Sequence, residues 1–221
     1  MIIDFFDNEL EWNENAFRPT TTSKEFAKFV PVEGKDVLDV GCGIGAIGIE
    51  FSKRGANSVV GIDISEEHIR LSEENIARND VENMTVIKSD MFEEIPFDSS
   101  FDVIASDVSG IDQPIVDVTN WFPDGVPSHS SQYIVEAIRR SKYFLKPGGE
   151  FYFTYCTFSD QDTIERVCDA MYPNSWEVVY EKLVPFSPEL NDNLELAKQY
   201  EPLSKKGSRH LWYLWIVKCQ N

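Results

Sequence analysis

Val37-Leu38-Asp39-Val40-Gly41-Cys42-Gly43-Ile44-Gly45-Ala46-Ile47-Gly48 is an apolar strand that runs into a glycine-rich turn and opens a helix. Glycines at 41, 43 and 45 free the backbone of Cβ atoms where the chain reverses, so main-chain N–H groups can lie against a ligand. The pattern predicts a nucleotide-like cofactor in this turn. Asp63 ends the next apolar stretch, Ser58-Val59-Val60-Gly61-Ile62, twenty residues beyond Gly43. That is the place where a carboxylate on the second strand of a Rossmann-like βαβ unit meets a ribose diol. Gly43-x-Gly45-x-x-Gly48 also satisfies the dinucleotide fingerprint, so a nicotinamide cofactor is the competing reading.

Outward from this unit, strand and helix patterns alternate after residue 35, the mark of an α/β fold with a mainly parallel sheet. Strands are expected near 36–40, 58–63, 84–89, 101–107 and 149–156, with helices at 45–54, 65–79 and 130–145. Ser65 is a natural N-cap, and Glu66 and Glu67 complement the positive end of its helix. Pro147-Gly148-Gly149 stops the following helix. After a helix near 160–172, two apolar strands remain, about 176–184 and 210–218, separated by the polar segment 187–208. Residues 108–129 and 187–208 exceed ordinary connections, and are read either as lids and substrate walls or as plain surface excursions.

The 221 residues suit one domain, with residues 1–34 preceding a core of 35–221. Neither a basic leader nor an apolar run of the ~20 residues that span a bilayer is visible, so a soluble, cytoplasmic protein with no membrane partner is expected. The four cysteines, Cys42, Cys156, Cys168 and Cys219, lack paired metal-type spacing and read as reduced thiols, with no metal site. A net charge of −18 disfavours a nucleic-acid partner, which is bound chiefly by Lys and Arg, and suits a cationic acceptor such as an amine, a guanidine or a basic protein tail. Arg139-Arg140 and Lys205-Lys206 are the local exceptions.

Asp39, two residues before the first glycine, and the compact run Asp39-Val40-Gly41-Cys42-Gly43-Ile44-Gly45 resemble the motif of the class I S-adenosylmethionine (SAM) methyltransferases. From residue 17 to about 156 the chain is similar to the methyltransferase small-domain group, which includes protein-glutamine and ribosomal-RNA guanine N-methyltransferases. The resemblance implies a Rossmann-like sheet of seven strands, mostly parallel, with helices on both faces and the last strand antiparallel. It implies SAM as cofactor and S-adenosylhomocysteine (SAH) as product. It also implies that residues 1–34 cap the cofactor and that Thr20, in Phe17-Arg18-Pro19-Thr20-Thr21, approaches its methionine end. Asp39, Gly41, Cys42, Gly43 and Gly45 would form the loop, with Asp63 and Ile64 on the ribose side. Asp90 and Met91, after the third strand, match the adenine contact, although Asp90 also suits a plain turn cap.

The departure follows the fourth strand, where the family's amide and amino methylases carry Asn or Asp, two prolines and an aromatic. Here the residues are Asp107-Val108-Ser109-Gly110. Asp107 keeps a side-chain acceptor at the strand end and is the first candidate both for cofactor contact and for holding and deprotonating an acceptor N–H. His129 is a second candidate base. Trp121 and Phe122 are candidate substrate-wall residues. Tyr155-Cys156-Thr157 resembles the cysteine of RNA cytosine-C5 methylases, but the Pro-Cys pair of that chemistry is absent and Cys156 reads as a packed thiol. The expected activity is methyl transfer to a small molecule or a peptide or protein side chain, at nitrogen. Ribosomal RNA or ribosomal-protein methylation, and a SAM-binding interaction protein without transfer, are the alternatives.

Overall fold

The computed structural model describes residues 1–123 and 128–221. In chain order the elements are β1 (Ile2–Phe5), β2 (Asn8–Glu11), α1 (Thr21–Phe29), β3 (Asp36–Val40), α2 (Ala46–Lys53), β4 (Ser58–Asp63), α3 (Glu66–Arg78) and β5 (Met84–Lys88). They continue with β6 (Phe101–Ser106), α4 (Gln113–Val116), α5 (Gln132–Phe144), β7 (Leu145–Cys156), α6 (Gln161–Met171) and β8 (Trp176–Pro185). The chain closes with α7 (Pro188–Asp192), α8 (Leu194–Ala197), β9 (Leu203–Lys206) and β10 (Arg209–Gln220).

The main sheet runs β5-β4-β3-β6-β7-β10-β8. The first five of these strands are parallel, and β10 lies antiparallel between β7 and β8. The α/β class, the helices on both faces and the antiparallel last strand are therefore as the resemblance implies. The sheet holds eight strands rather than seven, because the short β9 folds back along the start of β10. The connection from β4 leaves β3 on one side while β6 adds on the other, so the order reverses between β3 and β6. In such sheets ligands lie in the crevice outside the strand C-terminal ends at this point.

Alternation along the strands fills two core layers. Val37, Val59 and Val103 face Phe26 of α1, Ile49 of α2 and Leu71 of α3. Leu38, Ile62, Ile104 and Phe153 face Ile134 and Ile138 of α5 and Ile164 of α6. At the other end of the sheet Lys146 Nζ reaches Asp36 at 2.7 Å and Asp102 at 2.9 Å, clamping the starts of β3 and β6. The expected start of the fifth strand at 149 is corrected to Leu145, which already pairs with Phe101 of β6; the register shifts before Glu150 pairs with Val103, and Gly148 lies in the left-handed region at φ +76°.

Residues 1–34 divide into two parts. The β1–β2 hairpin lies on α3, where the buried Asn75 accepts from the Glu11 N–H at 2.6 Å and donates to the Glu11 and Ile44 carbonyls at 3.1 and 2.9 Å. That contact replaces water for three backbone groups, and it joins the hairpin to the glycine turn. Residues from Asn15 to Ser23 then pass over the C-terminal ends of the strands.

The two long connections have a core of their own. Ile115 of α4, Phe158 after β7, Leu190 of α7 and Ala197 of α8 are fully buried together, with Trp121, Trp212 and Leu214 packed on them. The surface-excursion reading of 108–129 and 187–208 is overturned on this burial for the described residues; 124–127 lie outside them. No described helix is long and apolar enough to cross a membrane.

Candidate active site

The turn after β3 takes its shape from three glycines in the left-handed region: Gly41 (φ +74°), Gly43 (φ +53°) and Gly45 (φ +84°). The N–H groups of Gly41 and Cys42 both donate to the Ile62 carbonyl, at 2.8 and 2.9 Å, so the turn hangs on the end of β4. A Cβ at Gly41 would stand 2.4 Å from Val108 Cγ1, and one at Gly45 2.4 Å from Ser72 Oγ. Gly43 differs, for a Cβ there would meet no protein atom within 4 Å. It faces a cavity of about 760 Å³ over the strand ends.

Thr20, Gly41, Gly43, Asp63, Ile64, Asp90, Met91, Asp107, Trp121, Phe122 and His129 all line this cavity. Asp39, Cys42 and Gly45, the other expected members of the loop, are not among the residues that line the cavity and lie beneath the turn. Cys42 turns its thiol toward Gly61 and spends its N–H on Ile62, and burial pushes that thiol well above its ordinary pKa. Gly45 begins α2 against Ser72. Asp39 is the one carboxyl of the three.

Its carboxyl is 1 % exposed, and Oδ2 has no hydrogen-bond partner among the described residues. Burial, and then the nearby Asp107, push its pKa from 3.8 up to about 7, against the help of the Gly48 N–H. Asp107 is likewise raised by burial, although the Ser23 side chain and the Thr154 hydroxyl, which donates at 2.8 Å, favour its charged form. Two carboxyl groups this close in low dielectric are unfavourable when both are ionised, and they favour a cationic ligand above them.

This shift sets a pH dependence. Between about pH 4 and 7 the folded state keeps the Asp39 proton that the unfolded chain has released, so the contribution of this group to stability falls as pH rises through this window and levels off above it, beside those of Asp107 and His68, whose pKa values are also raised. Thermal midpoints measured from pH 4 to 8 should show this slope, and Asp39→Asn should flatten it. An equally steep slope in the variant would remove Asp39 as its source.

Asp63 at the end of β4 is a hub of hydrogen bonds beside the turn. Its Oδ2 accepts from the Gly43 N–H at 2.9 Å, and its Oδ1 accepts from Ser65 N–H at 2.9 Å and lies 3.0 Å from His68 Nδ1. Burial pulls the His68 pKa down, but the Asp63 carboxylate, the Asn15 backbone and Glu67 outweigh it and leave it raised. His68 lines the cavity and meets Phe17 edge-on with ring centroids 6.5 Å apart. Nothing in the linear pattern beyond its proximity to Asp63 marks His68 for the site.

On the far side of the turn, Ser89 rather than Asp90 caps the chain after β5, accepting from Glu94 N–H at 3.0 Å. The Asp90 carboxylate is left facing the cavity beside Tyr133. Thr20 caps α1 and accepts from Ser23 N–H at 3.3 Å, which brings Ser23 to Asp107. Ser23 and Thr154 carried no signal in sequence, since they converge on Asp107 from separate elements. His129 stands against the Tyr133 ring at 4.8 Å, and no hydrogen bond joins it to Asp107 among the described residues. Phe122 meets Phe17 at 5.0 Å over the cavity, and Trp121 packs on Trp212 at 5.9 Å. Cys156 is buried beside Ser159, and burial pushes its thiol up to about 11, which leaves it protonated and without nucleophilic character at neutral pH.

A glycine turn at the switch point, a carboxylate at the next strand end and an acidic pocket between them define a Rossmann-like nucleotide-cofactor site that also favours a cation. Residues 31–206 match the family described as a methyltransferase domain, and the chain belongs to the class I SAM-dependent methyltransferases. SAM is the cofactor of that family, which settles the competition with a nicotinamide. Similar curated proteins include the ribosomal protein L11 methyltransferase of Thermotoga petrophila, 41% identical over 91 residues, 41% of this chain and 33% of that protein. Another is a putative protein N5-glutamine methyltransferase of Methanocaldococcus jannaschii, 37% identical over 105 residues, 47% of this chain and 52% of that one. The matches thus span a third to about half the length of these relatives. Among solved structures, the ribosomal protein L11 methylase of Lactobacillus delbrueckii subsp. bulgaricus shares the fold with TM-score 0.60 at 19% identity, over 93% of this chain and 82% of its own. The M. jannaschii tRNA m1G37 methyltransferase does so with TM-score 0.63 at 16% identity, over 100% of this chain and 56% of its own. A fold common to protein and RNA methyltransferases stands against the expectation from net charge that a nucleic-acid acceptor is disfavoured.

Proposed function

We propose that this chain moves the methyl group of SAM to a nitrogen on a small molecule or on a peptide or protein side chain. The observation that carries the reading is Asp107, a half-buried carboxylate just past the end of β6 that lines the same cavity as Gly43 and Asp63. The residues fit the cofactor. Asp63 and Ile64 suit the ribose, Asp90 and Met91 the adenine, and the segment from Asn15 to Ser23 covers the methionine end, where Asp39 and Asp107 supply negative charge. When bound, SAM supplies a methyl carbon on a sulfonium, already a strong electrophile.

The protein's task is then positioning, because transfer needs the nitrogen in line with the S–CH3 bond at about 3–3.5 Å. Asp107 accepts an N–H bond of the acceptor, which turns the lone pair outward, and its raised pKa suits it to take the released proton. The Ser23 and Thr154 hydroxyls hold the carboxylate in place for both tasks. Phe17 and Phe122 exclude water from one side.

SAH at a hundredfold excess over its Kd should stabilise the protein by about 2.7 kcal/mol, seen as a raised thermal midpoint, while NAD should not. Labelled SAM with amine and peptide acceptors then tests transfer. No shift with SAH would sink the reading. A ribosomal acceptor, RNA or protein, is the second reading, favoured by the names of the relatives and by the exposed Lys205, Lys206 and Arg209 around the β9–β10 turn. It expects RNA affinity that falls steeply with salt.

A further inference from the structure

The cavity has two unlike halves. Around the glycine turn its lining carries Asp63, His68, Asp90 and Asp107. Beyond Asp107 it is walled by Ile111, Trp121, Val184, Pro185, Trp212 and Leu214. The Trp212 Nε1 donor is buried with no partner among the described residues, and the polar side chains beside this wall are engaged within the protein. Ser187 Oγ accepts from Leu190 N–H, Tyr155 donates its hydroxyl to Glu165 at 3.2 Å, and the Cys156 thiol lies against Ser159. Trp121 and Trp212 are braced by Phe158, at 6.2 and 5.8 Å, in the core shared by the two long connections. This wall is therefore a packed, preformed surface rather than a loose loop. A strongly polar acceptor would lose hydration there and find no partner, whereas an apolar body would gain by burial.

We propose that the half beyond Asp107 is a chamber for a small acceptor with an apolar, ring-sized body and one nucleophilic N–H, the arylalkylamine class. The inference rests on the function proposed above and deepens it. The body lies on Trp121, Val184, Trp212 and Leu214, and the amine reaches back to Asp107. The nitrogen lone pair forms the bond to the methyl carbon as the sulfur–methyl pair returns to sulfur, leaving a neutral thioether. The surplus N–H proton goes to Asp107 and from there to solvent. An extended lysine or glutamine side chain offers the chamber much less apolar area than an aromatic ring, so a protein acceptor would leave these walls poorly covered.

The test is titration of the SAH-saturated protein with 2-phenylethylamine, followed by calorimetry and by the fluorescence of Trp121 and Trp212, with putrescine and a lysine peptide as polar comparators. 2-Phenylethylamine should bind about tenfold or more tighter than either comparator, the ratio that roughly one extra buried ring face supplies. Val184→Lys, at a half-buried position on the wall, should weaken this binding by about the same factor and leave SAH affinity unchanged. Val178→Lys, on the exposed part of the same strand, should change neither. Tighter binding of the polar amines, or a Val184→Lys variant that binds 2-phenylethylamine like the wild type, would overturn the chamber while the methyltransferase reading stands. Failure of SAH itself to bind would overturn both.

Discussion

Asp107→Ala is expected to lower turnover by roughly 10²–10⁴-fold, the range that a positioned acid–base group contributes. The loss in kcat should exceed any loss in SAH affinity at the methionine end, because the turn, Asp63 and the Asp90 side do not depend on Asp107. Asp107→Asn separates the two tasks of the carboxylate. It keeps an oxygen for the Thr154 hydroxyl and for the acceptor N–H, so it should recover part of the rate lost to misplacement and none of that lost to proton removal. Stability supplies an independent readout. Removing one of two neighbouring acids relieves Asp39, so Asp107→Ala should lower the Asp39 pKa from about 7 and weaken the fall of stability between pH 4 and 7. A variant as active as the wild type would remove Asp107 from the reaction.

Asp63→Ala should weaken SAH binding by about 10- to 150-fold, measured by calorimetry. A carboxylate has about four lone-pair sites. Gly43, Ser65 and His68 occupy three, so one remains for a ribose hydroxyl. One charge-assisted bond of about 1.5–3 kcal/mol converts to that factor. The figure is a floor, since the variant also releases the Gly43 N–H that holds the turn to β4. Asp63→Asn, which keeps an oxygen for Gly43 and loses the charge, should fall between. Affinity unchanged in a folded Asp63→Ala protein would discard the ribose assignment and with it the register of the cofactor on the turn.

Much of the site is written in consecutive residues. The turn from Gly41 to Gly45, Asp63 at the next strand end and Asp107 at the fourth belong to the backbone pattern of a βαβ chain, where side chains at strand ends must meet the crevice. Other parts have no linear trace. Asp39 was legible as a motif residue, but its full burial follows from α2 packing over it, and its raised pKa from that burial first and then from Asp107, distant in sequence but past the end of the neighbouring strand. Cys42 sits in the same motif and is turned away from the cavity, because a left-handed glycine on each side rotates it under the turn toward Gly61.

The amino-acid sequence by itself determined the alternation of the principal strands and helices from β3 to α6, the glycine turn and the strand-end acids, but not the β1–β2 hairpin, α1, β9 or the short helices α4, α7 and α8. What it determined follows from local causes: period-two and helical apolar patterns, capping residues, and positions that only glycine occupies without strain. Tertiary structure alone decided which half of the cavity is polar and which apolar. Ser23, His68 and Thr154 converge on the acids from three separate elements. Trp121 and Trp212, far apart in the chain, become one wall only when the two long connections bury a core between them. Such contacts are set by packing between distant segments, which no local spacing encodes.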